Sequence, residues 1–276
     1  MIDLPPAQEK EGTPLLRAVN LRKHYLRGGA WAGNPLRVDS LQGVDLQVLA
    51  GAALALIGSS GSGKSTLARC LAGLEKPDSG EIWWGGEKFQ WMGNAATRGA
   101  KARVQLVFQD TGLSLNPRFS AIDVVSEPLL VAEWGSKSQR RERASELMRS
   151  VGLPPEFADK RPSELSGGQR RRLAIARALT LEPRLLILDE ALAGLDLSTQ
   201  AQIANLLLDL QQARGFAYLW ISHDLQMVAR LAEQVAVMDE GRIVEAGPTR
   251  AFFASPVSAQ GRSLLAASHA WQVGRP

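Results

Sequence analysis

The 276-residue chain has a single cysteine, Cys70. An intramolecular disulfide is therefore excluded, and the composition fits a reducing compartment. Cys70 is expected to pack in a helix as a small apolar side chain. Long apolar runs are also missing. The best, residues 48–57, is broken by Gly51 and falls short of the ~18 residues of a spanning helix. Residues 1–11 carry acids and prolines but no basic head before an apolar block, so they do not read as a secretory signal. No self-similarity at a solenoid period is present. The excess of one charge sign is small: a net charge of +4 permits contact with nucleic acid or an anionic membrane face but requires neither. With 45% hydrophobic residues, the chain can bury one large core, or a core plus a smaller subdomain.

Apolar segments at 15–26 and 41–49 flank a glycine-rich stretch at 27–35, predicting two strands joined by a loop. Residues 53–57 form a short apolar run ending in glycines, and 64–74 follow with helical spacing. A strand candidate at 80–89 leads through a polar stretch to another at 104–108. From 122 to 152 the pattern is helical. Residues 138–151 are rich in Arg and Glu at spacings suited to solvated i,i+4 pairs, with Arg140, Arg141 and Arg143 as the wet face. Residues from about 112 to 165 thus read as a helical insertion. Helices at 167–181, 198–214 and 225–231 alternate with strands at 184–188 and 216–221. A hairpin at 235–246 turns at Asp239, Glu240 and Gly241. This alternation predicts an α/β fold on a mostly parallel sheet, with helices on both faces.

Gly58-Ser59-Ser60-Gly61-Ser62-Gly63-Lys64-Ser65 fits G-x-x-x-x-G-K-[ST] between a predicted strand and helix, and Thr66 directly follows. Glycines let the backbone N–H groups wrap phosphate oxygens, and the helix N-terminus adds positive potential. Lys64 would reach the β- and γ-phosphates, and Ser65 would offer a hydroxyl to Mg²⁺. The apolar run Leu185, Leu186, Ile187, Leu188 ends in Asp189 and Glu190. That pattern is expected of a buried strand beside a phosphate loop. Asp189 would hold Mg²⁺, and Glu190 would polarise a water for in-line attack on the γ-phosphate. Leu165-Ser166-Gly167-Gly168-Gln169 opens the next helix upstream and reads as a smaller anion cradle.

The last motif is the signature sequence of ATP-binding cassette proteins. Together with Gln109, Asp196 in Ala193-Gly194-Leu195-Asp196, and His223, the set resembles that family over residues 15–254. The resemblance implies an α/β phosphate-loop NTPase core, an N-terminal antiparallel β subdomain and a helical insertion, with ATP and Mg²⁺ as ligands. It implies that Gln109 contacts Mg²⁺ and the attacking water and signals to membrane subunits. His223 would touch the γ-phosphate, and Asp196 would lie at a dimer interface. Tyr25 is similar to the aromatic residue that stacks on adenine; it could instead be a strand residue packing on the core. His24 is taken as solvated. Two cassettes of this family close head to tail, so Ser166, Gly167, Gly168 and Gln169 would face the partner's ATP.

Asp110-Thr111-Gly112-Leu113-Ser114-Leu115-Asn116-Pro117-Arg118, then Ser126-Glu127-Pro128-Leu129, resemble the ATPases of dipeptide, oligopeptide and nickel importers. Asp189-Glu190-Ala191 is similar to the second ATPase of the nickel importer. The implied function is the ATP-hydrolysing subunit of an importer of peptide, nickel or metal chelate. Its partners would be a second, different ATPase chain, two permeases and, indirectly, a solute-binding protein, with no nucleic acid. The implied location is the cytoplasmic face of the plasma membrane. The expected domain limits are a tail at 1–14, the cassette at 15–254 and a short tail at 255–276. In that tail Ser255-Pro256-Val257-Ser258-Ala259-Gln260-Gly261 is a degenerate counterpart of the family's H-P-Y-T segment. A soluble cassette ATPase of a phosphonate-degrading assembly is the competing reading. Trp83-Trp84 and Phe252-Phe253 are expected in the core or at an edge.

Overall fold

The structure, a computed structural model, describes residues 14–27, 36–91, 103–109 and 114–273. Residues 1–13, most of the glycine-rich stretch before Leu36, and Asp110, Thr111, Gly112 and Leu113 lie outside the described residues. The chain forms two compact parts, Ala7–Ala100 with Ala217–Pro276, and Lys101–Phe216.

In the first part, β1 (Leu16–Arg27) pairs antiparallel with β2 (Leu36–Val48) and with β4 (Ser79–Trp84). A short β5 (Glu87–Lys88) folds back on β4. The expected single strand at 80–89 is thus a hairpin. Gly85 (φ 50°) and Gly86 (φ 85°) supply two consecutive left-handed residues, as a two-residue turn between twisted strands requires. A second set of strands includes β3 (Ala53–Gly58), parallel to both β8 (Ala217–Ile221) and β9 (Gln234–Asp239). All residues of β3 and β8 are buried, which explains their unbroken apolar reading: each strand is covered on two faces. The exposed-to-intermediate alternation of β10 (Arg242–Pro248), antiparallel to β9, shows the opposite case.

Helix α1 (Lys64–Leu71) follows β3 and buries Leu67, Ala68, Cys70 and Leu71. Burial pushes the Cys70 thiol up to about 12, as apolar packing of this residue demands. Trp84 and Phe252 are buried, and Phe252 meets Phe253 edge to face at 5.4 Å. His24 is not simply solvated, because its Nδ1 lies 2.6 Å from Asp78. The segment read as a short tail carries a helix. After α6 (Leu225–Leu231) and α7 (Thr249–Ala254), α8 (Ala259–Val273) lies near β3 and β9. Its start is held by Glu245, which accepts from Val257 N (2.9 Å), Ser258 N (2.9 Å) and Ser258 Oγ (2.6 Å).

In the second part, β6 (Val104–Val107) pairs in parallel with β7 (Leu185–Asp189). The helical stretch expected at 122–152 is two helices, α2 (Ala121–Val131) and α3 (Lys137–Ser150). Left-handed Glu133 and Gly135 end the first, and a reciprocal capping box between Ser136 and Gln139 starts the second. The arginines of α3 are not only a wet face: Arg141 pairs with Asp123 on α2 at 3.1 Å, and Arg143 with Glu146 and Glu182. Both helices pack on α4 (Gly167–Leu179). Glu127 of the Ser-Glu-Pro-Leu segment receives Arg177 of α4 at 3.0 Å. Helix α5 (Leu197–Arg214) ends at left-handed Gly215.

Candidate functional site

The sequence-predicted residues fall in both parts. Tyr25, residues 58–66 and His223 belong to the first, and Gln109, residues 166–169, Asp189, Glu190 and Asp196 to the second.

The loop between β3 and α1 bends through Gly58, Gly61 and Gly63, all at positive φ. A side chain at Gly63 is excluded twice. Its φ is 106°, and a Cβ would collide with the Ser40 carbonyl and lie 2.8 Å from Met238 Cε. The N-cap of α1 is Gly63, which has no side chain to cap the helix. Lys64 is only 7% exposed. Its Nζ donates to Gly58 O (2.9 Å), Ser59 O (2.8 Å) and Ser62 Oγ (3.4 Å). An uncapped helix start with a buried ammonium at its first residue suits a polyanion, so the loop fits the phosphates of a nucleotide. Parallel pairing of Leu56 with Ile221, and the Ser222 N–H to Leu56 O bond, bring the chain that carries His223 out beside the start of this loop.

Tyr25 leaves β1 half-buried. Its hydroxyl donates to Glu75 Oε1 at 2.6 Å and accepts from Arg69 Nη2 at 3.3 Å. The Thr66 hydroxyl, in the first turn of α1, accepts from Ser40 Oγ at 2.9 Å and from Arg69 Nη2 at 3.2 Å. Sequence reasoning missed Arg69 and Glu75 because these contacts join residues 44 and 50 positions apart.

In the second part, parallel β6 and β7 run in register with Val107 opposite Leu188. Gln109 and Glu190 therefore leave the same end of two neighbouring strands, and the Gln109 amide donates to Glu190 Oε2 at 2.8 Å. Asp189 is buried at the end of β7. Glu190 has φ 47°, a region where a side chain costs about 1–2 kcal/mol. Such outliers cluster where function needs a particular direction. Arg171, which sequence reasoning missed, is buried and donates to Phe108 O (2.9 Å) and Gln109 O (3.0 Å). It fixes the backbone on which Gln109 stands.

Ser166 and Gln169 form a reciprocal capping box at the start of α4. Gly168 has a packing reason of its own: a Cβ there would lie 2.7 Å from Thr199 Cγ2 on α5. Thr199 cannot turn away freely, since Asp196 caps α5 by accepting from Thr199 N (2.9 Å) and Thr199 Oγ1 (2.7 Å). These two bonds hold the Asp196 carboxyl below its usual range.

The ABC transporter family model matches residues 41–193. A probable peptide ABC transporter ATP-binding protein, y4tS of Sinorhizobium fredii, is 47% identical over 92% of this chain and 72% of the relative. The dipeptide transport ATP-binding protein DppF of Escherichia coli is 43% identical, over 92% of this chain and 76% of the relative. Among solved structures, the dimeric post-hydrolysis cassette MJ0796 bound to ADP and Pi matches with TM-score 0.75. It is 29% identical, over 85% of this chain and 99% of that one. The cbiO1 subunit from Clostridium perfringens matches with TM-score 0.74 at 28% identity, over 94% of this chain and 99% of that one.

Proposed function

Because the chain belongs to the ABC transporter ATPase family, we propose that it is the ATP-hydrolysing subunit of an importer for short peptides. The observation that carries this reading is the likeness, over more than nine-tenths of the chain, to ATP-binding proteins of peptide and dipeptide transport. The segments at 110–118 and 126–129 suit peptide and nickel importers alike, only Ala191 favours nickel over peptide, and a phosphonate-degrading assembly has only chain length.

In this reading the N–H groups of the loop at Gly58, Ser59, Ser60, Gly61, Ser62 and Gly63, with Ser65 and Thr66, hold the phosphates of ATP. Lys64 exchanges its loop acceptors for β- and γ-phosphate oxygens. Ser65, Asp189 and Gln109 are the residues that would hold Mg²⁺. When bound, the ion neutralises charge that develops on the phosphate oxygens. Glu190 takes a proton from the attacking water, and the bond from Gln109 orients its carboxylate. His223 contacts the γ-phosphate, and Tyr25 stacks on adenine. Ser166, Gly167, Gly168 and Gln169 serve the nucleotide of a second cassette across a dimer at which Asp196 lies. That cassette is a different chain, and the pair works beneath two permeases fed by a solute-binding protein, at the cytoplasmic membrane face. The cassette spans 15–254, with a helical subdomain at about 112–165. Among the described residues no helix is long and apolar enough to cross a membrane, so the permeases supply the path.

The test is reconstitution of this chain with its neighbouring cassette and permeases in liposomes. A peptide-loaded binding protein should stimulate ATP hydrolysis and drive uptake of labelled dipeptide. Stimulation by nickel and not by peptide would reassign the solute.

A further inference from the structure

Three polar side chains, Glu75, Arg69 and Thr66, form with the Tyr25 hydroxyl a hydrogen-bonded set that stacking on a base does not itself require. Glu75 accepts the phenol through Oε1 at 2.6 Å and Arg69 Nε through Oε2 at 3.0 Å. Arg69 then reaches with Nη2 to the phenol oxygen at 3.3 Å and to Thr66 Oγ1 at 3.2 Å. Lys23 approaches Glu75 at 3.6 Å and lies 5.7 Å from the centre of the Tyr25 ring. Partial burial opposes ionisation of Glu75, but the bonds from Tyr25 and Arg69 and the charges of Arg69 and Lys23 outweigh it, and its carboxyl is held below its usual range.

A tyrosine on a strand can swing about its first two torsions, and fixing them in advance removes an entropy cost from any later stacking contact. The phenol oxygen is the far end of that lever. Here it is bonded to three groups, Glu75, Arg69 and, at 3.5 Å, the Thr66 hydroxyl in the first turn of α1, the helix that follows the phosphate loop. We propose that Glu75 and Arg69 are positioning residues that lock the Tyr25 ring as a base platform at a fixed place relative to the phosphate loop. The inference rests on the reading of Tyr25 as the adenine platform, and it adds how that platform is set.

The test uses labelled ATP and inorganic tripolyphosphate, binding to the full chain and to the variants Tyr25→Ala, Tyr25→Phe, Glu75→Ala and Glu75→Gln. Tyr25→Ala should weaken ATP binding about tenfold, the scale of one lost base stack. Tyr25→Phe, which keeps the ring but loses the phenol oxygen, and Glu75→Ala should each weaken it about three- to fivefold. The double variant Tyr25→Phe/Glu75→Ala should be no worse than Tyr25→Phe alone, since loss of the phenol oxygen already cuts the bond to Glu75. Glu75→Gln still accepts from the phenol and should restore most of the affinity. Tripolyphosphate, which has no base, should bind all variants alike. Wild-type affinity in Tyr25→Ala would end the platform reading itself. A weakened Tyr25→Ala beside unchanged Tyr25→Phe and Glu75→Ala would keep the platform and overturn the positioning role. An equal loss of tripolyphosphate binding would also overturn it, because the set would then support only the loop.

Discussion

The side-chain amide of Gln109 donates to the Glu190 carboxylate at 2.8 Å, and the residue that receives it has a left-handed backbone at φ 47°. The strand register places the two side by side, the amide bond turns the carboxylate, and the backbone outlier aims it. A general base needs that control of direction before its basicity matters.

Glu190→Gln keeps the size and the acceptor for Gln109 but removes the negative charge. Hydrolysis should fall about 10²- to 10⁴-fold, the usual yield of a positioned general base, while ATP binding survives. Turnover is measured with the partner cassette present and its own base disabled. Light scattering with ATP, with and without Mg²⁺, should then detect a persistent dimer. Wild-type turnover in that setting would remove Glu190 as the base.

Lys64→Ala removes the ammonium that donates to Gly58 O and Ser59 O. Turnover should drop at least about 10²-fold, the scale for one lost electrostatic donor. The variant should also melt earlier, since two carbonyls lose a buried partner, at about 1–3 kcal/mol. A melt paired with an ATP-binding isotherm separates the two effects.

Gly168→Ala sets two effects against each other. Alanine gains about 1 kcal/mol in helix propensity, but its methyl group would press on Thr199 Cγ2 at 2.7 Å, and overpacking typically costs about 1–3 kcal/mol. Because Asp196 anchors the threonine hydroxyl, the clash should win. The variant should lose stability in urea titration, and adding Thr199→Ser, which deletes the methyl but keeps the hydroxyl, should recover it. No recovery would show that α4 and α5 accommodate the methyl elsewhere.

Glu245→Gln should loosen α8. Burial opposes ionisation of Glu245, but the bonds from Ser258 and Val257 and the charge of Arg262 prevail and hold its carboxyl low. A carboxyl lowered by folding contributes stability that is full above its unfolded value, about 4.3, and is lost as pH falls through the folded value. Hydrogen exchange over residues 255–268 should therefore be faster in the variant at neutral pH. The difference should shrink below about pH 4.3. A difference that persists unchanged in acid would show that charge at Glu245 is not what holds the helix.

Local spacing made the phosphate loop legible: glycines, Lys64 and Ser65 all act within eight residues, between an apolar run and a helix. The strand ending in Asp189 was legible because burial on both faces leaves a solid apolar run. The bond from Gln109 to Glu190 joins positions 81 apart, and no periodicity records it. The same holds for Glu75 on Tyr25 and for Arg171 on the backbone of Phe108 and Gln109. Gly168 reads as part of an anion cradle, yet its neighbour across the helix pair is the methyl of Thr199. The hairpin at Gly85 and Gly86 was missed because its second strand, Glu87–Lys88, is only two residues long and carries no apolar alternation. Helix α8 was missed because Ser258, whose hydroxyl accepts from Gly261 N at 2.8 Å, is itself held by Glu245, 13 residues earlier.

A left-handed glutamate at position 190 also bears on how the protein is best engineered. Glycine takes that backbone without the Cβ penalty of about 1–2 kcal/mol, and asparagine takes it more readily than most residues. A library screened for heat resistance alone would drift toward Gly or Asn at this site, yielding firmer proteins that no longer turn over. Selection for endurance and selection for catalysis would pull this position in opposite directions, so a screen intended to harden the enzyme must hold Glu190 constant.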